Sequence, residues 1–467
     1  MSMRCMVITV LDLRHEPNQR TQHVARMLGA TAHETVVLAK TQRRDRSPRG
    51  LLRAALSWST HPARAQSLPG VRLLMVDPLL NYPHALAGSL VQRAALAGAA
   101  DAIAQSGPAP QRAASDAPPP PSPNSAFSRW RHAARGLLAR LLSFIGIARD
   151  LCVAPAFVLA ALRHTRGRFD ICLVEGPWSG LAGWALRGLG RVDRLVYDDI
   201  DHVAGGQWLA ARRWLVGALE HAVMRRADLV ISAGYRLGRL RRAATGRTVQ
   251  VIPNGVDPAV FAPARRKRPH PPTLVYMGHL APFCGVDLAL RALPAIRAVL
   301  PATRLIIVGD GDPGYLRGLA DLIAAGQSGA AVRMTGRLPY GELAGVLAQC
   351  DVGLATLRPD ELGRHAFPLK LLEYMAAGLA VLCTRDTEAE EVIRRYPAGI
   401  AVPFDPQELA KGALELLQRP DVYARAVHAG QLAVQRYTWE RALREQREAM
   451  LALFAPRDRR RLFLQRG

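Results

Sequence analysis

Residues 367–384, Phe-Pro-Leu-Lys-Leu-Leu-Glu-Tyr-Met-Ala-Ala-Gly-Leu-Ala-Val-Leu-Cys-Thr, constrain the chain more than any other stretch. Proline is tolerated in the first turn of a helix, where its missing N–H costs nothing, so a helix is expected from Pro368. Good helix formers continue to Ala377, and Gly378 is a natural left-handed stop. The apolar run 379–383 then reads as a short buried strand. Within the helix, Lys370 and Glu373 are three residues apart and share a face. Free N–H groups at a helix start together with a lysine make an anion site, and a carboxylate one turn on can accept two sugar hydroxyls. The combination suits a nucleoside diphosphate with its ribose; an i,i+3 ion pair on a surface helix is the plainer alternative.

Four further motifs precede it in order: Val251-Ile-Pro-Asn-Gly-Val-Asp257, Leu274-Val-Tyr-Met-Gly-His279, Leu305-Ile-Ile-Val-Gly-Asp-Gly-Asp312 and Val332-Arg-Met-Thr-Gly336. Over roughly residues 228–440 this series resembles the C-terminal half of retaining glycosyltransferases of the GT-B fold, in the large group of bacterial polysaccharide and lipopolysaccharide sugar transferases; before residue 228 the likeness is general. The resemblance implies an α/β protein with two Rossmann-like, doubly wound domains facing a central cleft.

The 467 residues suffice for two domains with separate cores, and strand-helix alternation agrees with α/β architecture. A net charge of +24, mostly from arginine, favours acidic partners such as anionic lipid, phosphorylated substrates or nucleic acid. No recognition motif accompanies the spread arginines, so nucleic acid is not expected. The six cysteines (5, 152, 172, 284, 350, 383) show neither C-x-x-C nor metal spacing and read as buried free thiols of a reducing cytosol. The run 7–11 is too short for a signal peptide, and no stretch reaches the ~18 uncharged apolar residues of a membrane span. The expected location is cytoplasmic, with peripheral contact on the inner face of the cytoplasmic membrane allowed by the charge.

Along the chain, the resemblance implies a first, acceptor-binding domain over residues 1–263, a nucleotide-sugar-binding domain over 264–436, and over 437–467 a helix crossing back to the first domain, followed by a basic tail at 457–461. Strands are expected over 3–13, 35–40, 71–76, 169–175, 194–197 and 228–232. Where GT-B proteins often carry a glycine-rich loop, residues 14–21 have no glycine, and Asn18 and Arg20 are the groups placed to touch a substrate. Residues 104–126, rich in Pro, Ala and Ser, read as a disordered insertion. Over 127–150, Trp130, Leu137, Leu141, Phe144, Ile145 and Ala148 gather on one helical side with arginines around them. Such a helix packs on a core or lies in a membrane interface, where each cation adds on the order of 1 kcal/mol.

Gly309-Asp-Gly311-Asp-Pro-Gly314 matches the dinucleotide fingerprint but stands mid-chain without the acidic strand end that follows it, which argues against NAD. Asp198, Asp199, Asp201 and His202 follow a strand end, where open α/β sheets bind ligands. They could hold Mg²⁺ or Mn²⁺, but the resemblance implies neutralisation of the diphosphate by helix dipoles and cations. No metal and no cofactor are therefore expected, and Asp199, Asp201 or His202 would orient an acceptor hydroxyl.

Transfer of the resembling motifs puts Glu373 on the ribose and Lys370, with Leu371 at the helix start, on the diphosphate. Gly278, His279, Gly309 and Asp310 would stand near the nucleotide, and Gly336 with Arg337 near the base. The catalytic set is Glu373, Lys370, His202 and Asp201. The departures are three. Resembling enzymes carry Arg and Lys where this chain has His279 and Cys284, and a first Glu where it has His365. Lys370, Arg364, Arg358 or a protonated His279 would have to replace the missing charge. The expected activity is transfer of a sugar, with retention, from a nucleoside-diphosphate sugar to a polysaccharide or lipid-linked acceptor. A non-catalytic nucleotide-sugar-binding protein and a GT-B epimerase are the alternatives. Sugar, nucleotide and acceptor identity are not readable from the residues.

Overall fold

The computed structural model describes residues 3–11, 20–41, 59–63, 68–78, 150–207, 210–262, 270–326 and 329–455. The segments read above as an insertion (104–126) and as a basic tail (457–461), Asn18, and residues 127–149 of the amphipathic stretch lie outside the described residues.

Two sheets organise the rest. The first takes β1 (Arg4–Thr9), β2 (Glu34–Lys40), β3 (Ser59–Ala63), β4 (Val71–Asp77), β5 (Phe169–Val174), β6 (Val192–Asp199), β7 (Leu229–Ser232) and β8 (Gln250–Val251), in the order β3-β4-β2-β1-β5-β6-β7-β8. All its pairings are parallel except β3 with β4. The second takes β9 (Thr273–Met277), β10 (Arg304–Val308), β11 (Val332–Gly336), β12 (Val352–Ala355), β13 (Ala380–Thr384) and β14 (Gly399–Val402), in the order β11-β10-β9-β12-β13-β14, all parallel. Each order reverses direction once, beside β1 and beside β9. Such a reversal opens a crevice at the carboxyl ends of the strands.

Parallel sheets bury both faces, so their strands need apolar residues at every position. In β9, Val275 and Met277 join one core while Leu274 and Tyr276 join the core across the sheet. The same division separates Met6 and Ile8 of β1 from Cys5 and Val7. The helix Trp439–Leu451 does not stay with the second sheet. Its Trp439, Ala442, Ala449 and Met450 sit in the first domain's core with Val24, Leu28 and Ile231.

Helix and strand in the opening stretch fall within a residue of expectation. The helix runs Leu369–Ala376 with Pro368 as its N-cap rather than its first turn, Gly378 takes φ 75°, and β13 follows. The first strand ends at Thr9, short of the expected residue 13. Strand β3 has no counterpart in the sequence reading. It contains Pro62 and sits at the sheet's edge, where a residue that cannot donate to the ladder is tolerated. Of the six free cysteines five are buried and Cys152 is half-buried. No helix of the described residues is long and apolar enough to cross a membrane.

Candidate functional site

The crevice of the second sheet begins where β9 and β12 part. They pair only through Val352 with Leu274 and Gly353 with Val275. Beyond that point Tyr374 fills the gap: the Met277 N–H donates to its hydroxyl at 2.8 Å, and the ring lies so close to Gly353 that a Cβ there would meet it at 2.2 Å. One turn earlier on the same helix comes Lys370, and on the adjoining turn Glu373.

Three glycines form the floor. Gly278, Gly309 and Gly336 end β9, β10 and β11, and each has positive φ (129°, 142° and 71°). The Gly278 N–H donates to the Val308 carbonyl and the Gly309 N–H to the Gly336 carbonyl, both at 2.9 Å, so the glycines lie side by side. A Cβ on Gly309 would stand 1.9 Å from the Gly278 oxygen, and one on Gly278 3.2 Å from the Lys370 amine. Positive φ and close approach both demand glycine here. Asp310 folds back on the Gly311 N–H at 2.8 Å and stays exposed, as do Arg337 and His279.

Lys370 is held by a residue the sequence reading passed over. Its ammonium donates to the Tyr276 hydroxyl at 2.6 Å and stands 3.9 Å from the centre of that ring, while the hydroxyl donates to the His279 carbonyl at 2.8 Å. Burial lowers the Lys370 pKa to about 8, against the pull of Cys284 and Glu373. Burial likewise raises Glu373 to about 7, opposed by a hydrogen bond from Tyr340 and by Lys370. Tyr340 is steadied by an edge-to-face contact with Phe261, 5.6 Å between centroids, just after the Asn254–Gly255 motif. Of the four candidates to replace charge at positions 279 and 284, Lys370 is the one whose amine stands beside Gly278. Arg358 lies over the Phe404 ring and reaches Asp287, and Arg364 folds onto the Pro359 carbonyl.

Three expected site residues are elsewhere engaged. Leu371 is fully buried in the core, and its N–H donates to the Pro368 carbonyl, so it offers nothing to a ligand. Asp199 is shut beneath the surface with both oxygens on Arg241, at 2.8 and 3.1 Å. Arg20 is buried as well: it pairs with Asp198 at 3.0 Å and donates to the Ile252 carbonyl at 2.8 Å, welding the first domain from below. For Asp199 and Arg20 the sequence shows a charged residue but not the opposite charge that covers it. Asp201 remains exposed. His202 is buried, stands edge-on to His365 at 5.2 Å, and has its pKa lowered to about 3 by burial and by surrounding cations.

The two carboxyl edges face one another. Leu369, at the start of the Lys370 helix, packs against the first domain's core. The Glu388 carboxylate accepts the Tyr235 and Leu237 N–H groups at 3.0 and 2.9 Å, capping a helix of the first domain from the second. The helix that bears Lys370 and Glu373 thus starts at the boundary between the domains.

Residues 271–419 match the family model of glycosyl transferases group 1. The chain has a GT-B fold, and the matched stretch covers most of its second domain. This GT-B protein is 34% identical over 210 residues to a phosphatidyl-myo-inositol mannosyltransferase of Mycobacterium tuberculosis, covering 43% of this chain and 53% of the relative. It is 31% identical over 229 residues to a glycogen synthase of the same organism, covering 46% and 53%. The chain thus spans about half the length of the curated relatives it matches. Among solved structures, sucrose-phosphate synthase from Thermosynechococcus elongatus superposes with TM-score 0.65 at 17% identity, covering 97% of this chain and 99% of that one. Anabaena HepE in complex with UDP superposes with TM-score 0.63 at 16% identity, covering 96% and 100%.

Proposed function

We propose that this GT-B protein transfers a sugar from a nucleoside-diphosphate sugar to a polysaccharide or lipid-linked acceptor. The observation that carries the reading is the placement of Lys370 and Glu373 on one helix face, at the crevice of the second sheet, on a helix that starts at the domain boundary. Glu373 takes the ribose hydroxyls, the Lys370 ammonium the diphosphate, and the bare glycine floor lets the nucleotide approach the backbone. The base lies toward Gly336 and Arg337. The acceptor enters past Asp201 and His202. No metal takes part: charge on the departing diphosphate is met by Lys370, and the acceptor hydroxyl attacks from the face the leaving group vacates, with retention. The UDP in the HepE complex and the mannosyltransferase relative support this choice of donor and acceptor. The test is incubation of purified protein with nucleotide sugars and glycan or lipid acceptors, followed by NMR. Acceptor-dependent release of nucleoside diphosphate and a product of unchanged anomeric configuration are expected; inversion removes the retaining step, and absence of donor binding removes the reading.

One observation favours a second reading, a non-catalytic nucleotide-sugar-binding protein: position 284 carries a buried thiol and 279 an exposed imidazole in place of two cations. Tight donor binding in a calorimeter with no turnover for any acceptor would select it.

The titrating pair sets a pH window. Below about 7 Glu373 gains a proton and stops accepting two hydroxyls; above about 8 Lys370 loses its charge. Donor affinity is therefore expected to peak between pH 7 and 8, and a flat calorimetric profile from pH 6 to 9 (roughly one unit either side of the pair) contradicts the assignment.

Peripheral membrane contact belongs to the same proposal. Trp214 is 74% exposed and Leu151 53% exposed, each within two residues of a partner in the Asp150–Arg212 ion pair. Trp214→Glu should reduce co-sedimentation with vesicles containing phosphatidylglycerol by several-fold. Equal sedimentation of both proteins would place the contact elsewhere or deny it.

A further inference from the structure

Outside the Lys370–Glu373 cradle, three metal-ligating side chains from two domains converge. His202 follows β6 of the first domain, whereas Glu361 and His365 lie in the loop after β12 of the second. One ligand atom from each falls within 4.8 Å of the others. His202 Nε2 is 3.8 Å from the Glu361 carboxylate. His365 Nδ1 lies 3.0 Å from the Glu361 backbone carbonyl, which can only accept; that nitrogen therefore carries the hydrogen, and Nε2 keeps its lone pair. His202 is 9% exposed, and the ring nitrogen it turns to the Glu361 carboxylate is Nε2. Gly205 makes the approach possible, since a Cβ there would meet the His202 ring at 2.5 Å and the Glu361 carbonyl at 2.8 Å.

We propose that His202, Glu361 and His365 form a divalent transition-metal site of zinc type that bridges the two domains. Two imidazoles and one carboxylate are a zinc donor set; magnesium and calcium ask for oxygen ligands. Metal bonds of about 2.0–2.2 Å require the ligand atoms to draw in from within 4.8 Å to roughly 3.3 Å, a move shared between the exposed Glu361 side chain and the two imidazoles. The fourth position stays open to water or to an oxygen of a bound substrate. The ion takes no part in leaving-group departure. It ties the loop after β6 to the loop after β12. This inference stands on the three side chains and does not depend on the transferase reading.

The full-length protein, stripped with a chelator, is titrated with ZnCl₂ and separately with MgCl₂ in a calorimeter. One zinc per chain, a raised thermal midpoint and no comparable magnesium response are expected. Glu361→Gln and His365→Ala should each weaken zinc binding about 10-fold or more. His202→Ala should do the same, and Cys152→Ser, which removes the half-buried thiol, should not. Absence of saturable zinc binding, or unchanged affinity in the Glu361 and His365 variants, overturns the site. Loss with Glu361→Gln but not with His202→Ala overturns the bridge. Glu361 is a surface side chain, so its variant reports on the metal even if a histidine variant fails to fold. Zinc binding can fail while sugar transfer persists, and the reverse, so the two proposals fall separately.

Discussion

On the proposed transferase reading, Glu373→Ala is expected to abolish sugar transfer, with a loss of at least 100-fold in kcat/KM, while the protein keeps its circular dichroism spectrum. The carboxylate is half-buried in the crevice, takes a hydrogen bond from Tyr340, and stands near Lys370. In the proposed role its removal would cost the donor two hydroxyl contacts at once, and it leaves a partly desolvated ammonium without its counter-charge. The Lys370 pKa, already drawn down to about 8 by burial, loses one of the two partners that hold it up. Fewer molecules then carry the charge that meets the diphosphate at neutral pH. Preorganised contacts of this kind are worth about 10²–10³ in rate when removed singly. Glu373→Gln keeps size and one acceptor oxygen, and should fall between the two. The measurement is initial rate with a saturating acceptor together with donor Kd by calorimetry. Turnover equal to that of the natural protein would remove Glu373 from the site.

Arg241→Ala destabilises the first domain by about 3–5 kcal/mol, read as a fall in the urea midpoint. Arg241 is fully buried and pairs with Asp199 through two contacts and with Glu220 through two more, at 3.2 Å each. Burial works against its charge, but the two carboxylates outweigh that penalty and hold the guanidinium above the ordinary arginine value. Burial in turn raises Glu220 to about 7. The sign follows: a raised carboxyl binds a proton more tightly in the folded than in the unfolded state. Its contribution is full below about pH 4.5 and fades as the pH rises towards 7. The alanine variant leaves two buried carboxylates without a cation, so its deficit should widen from pH 5 to pH 8. Arg241→Met with Asp199→Asn and Glu220→Gln, which removes the charges together, should recover part of the loss. A midpoint unchanged by Arg241→Ala would show the triad to be energetically neutral.

Local and long-range causes left different marks on this chain. Elements whose causes are local came out close: the Leu369–Ala376 helix and β13 were set by helix propensity, the Gly378 stop and an unbroken apolar run. Both sheets follow from alternation of strand and helix, since a parallel strand needs a crossover and both faces covered. The edge strand Ser59–Ala63 was missed because nothing in Ser-Thr-His-Pro-Ala favours a strand; its pairing with β4 is what extends it. Boundaries also moved where a cap rather than a propensity decided them, as with Pro368.

The candidate site divides the same way. Spacing alone put Lys370 and Glu373 on one face, and positive-φ glycines at 278, 309 and 336 were foreshadowed by Gly at three strand ends. Residue type and position also marked Asp199 and Arg20 as ligand groups, and motif transfer marked Leu371; all three are engaged within the protein. Whether a polar side chain faces solvent or an opposite charge depends on segments far away in the chain: Arg241 for Asp199, Asp198 for Arg20. Tyr276 and Tyr340, which hold the lysine and the glutamate, look like core aromatics in sequence, and only the packing turns their hydroxyls inward. The sequence by itself determined the repeated strand-helix units and the helix that bears Lys370 and Glu373, because periodicity and turn chemistry act over a few residues. The tertiary structure alone decided which charges are buried against each other and that His202 meets Glu361 and His365, because electrostatic pairing and desolvation are set by distance in space.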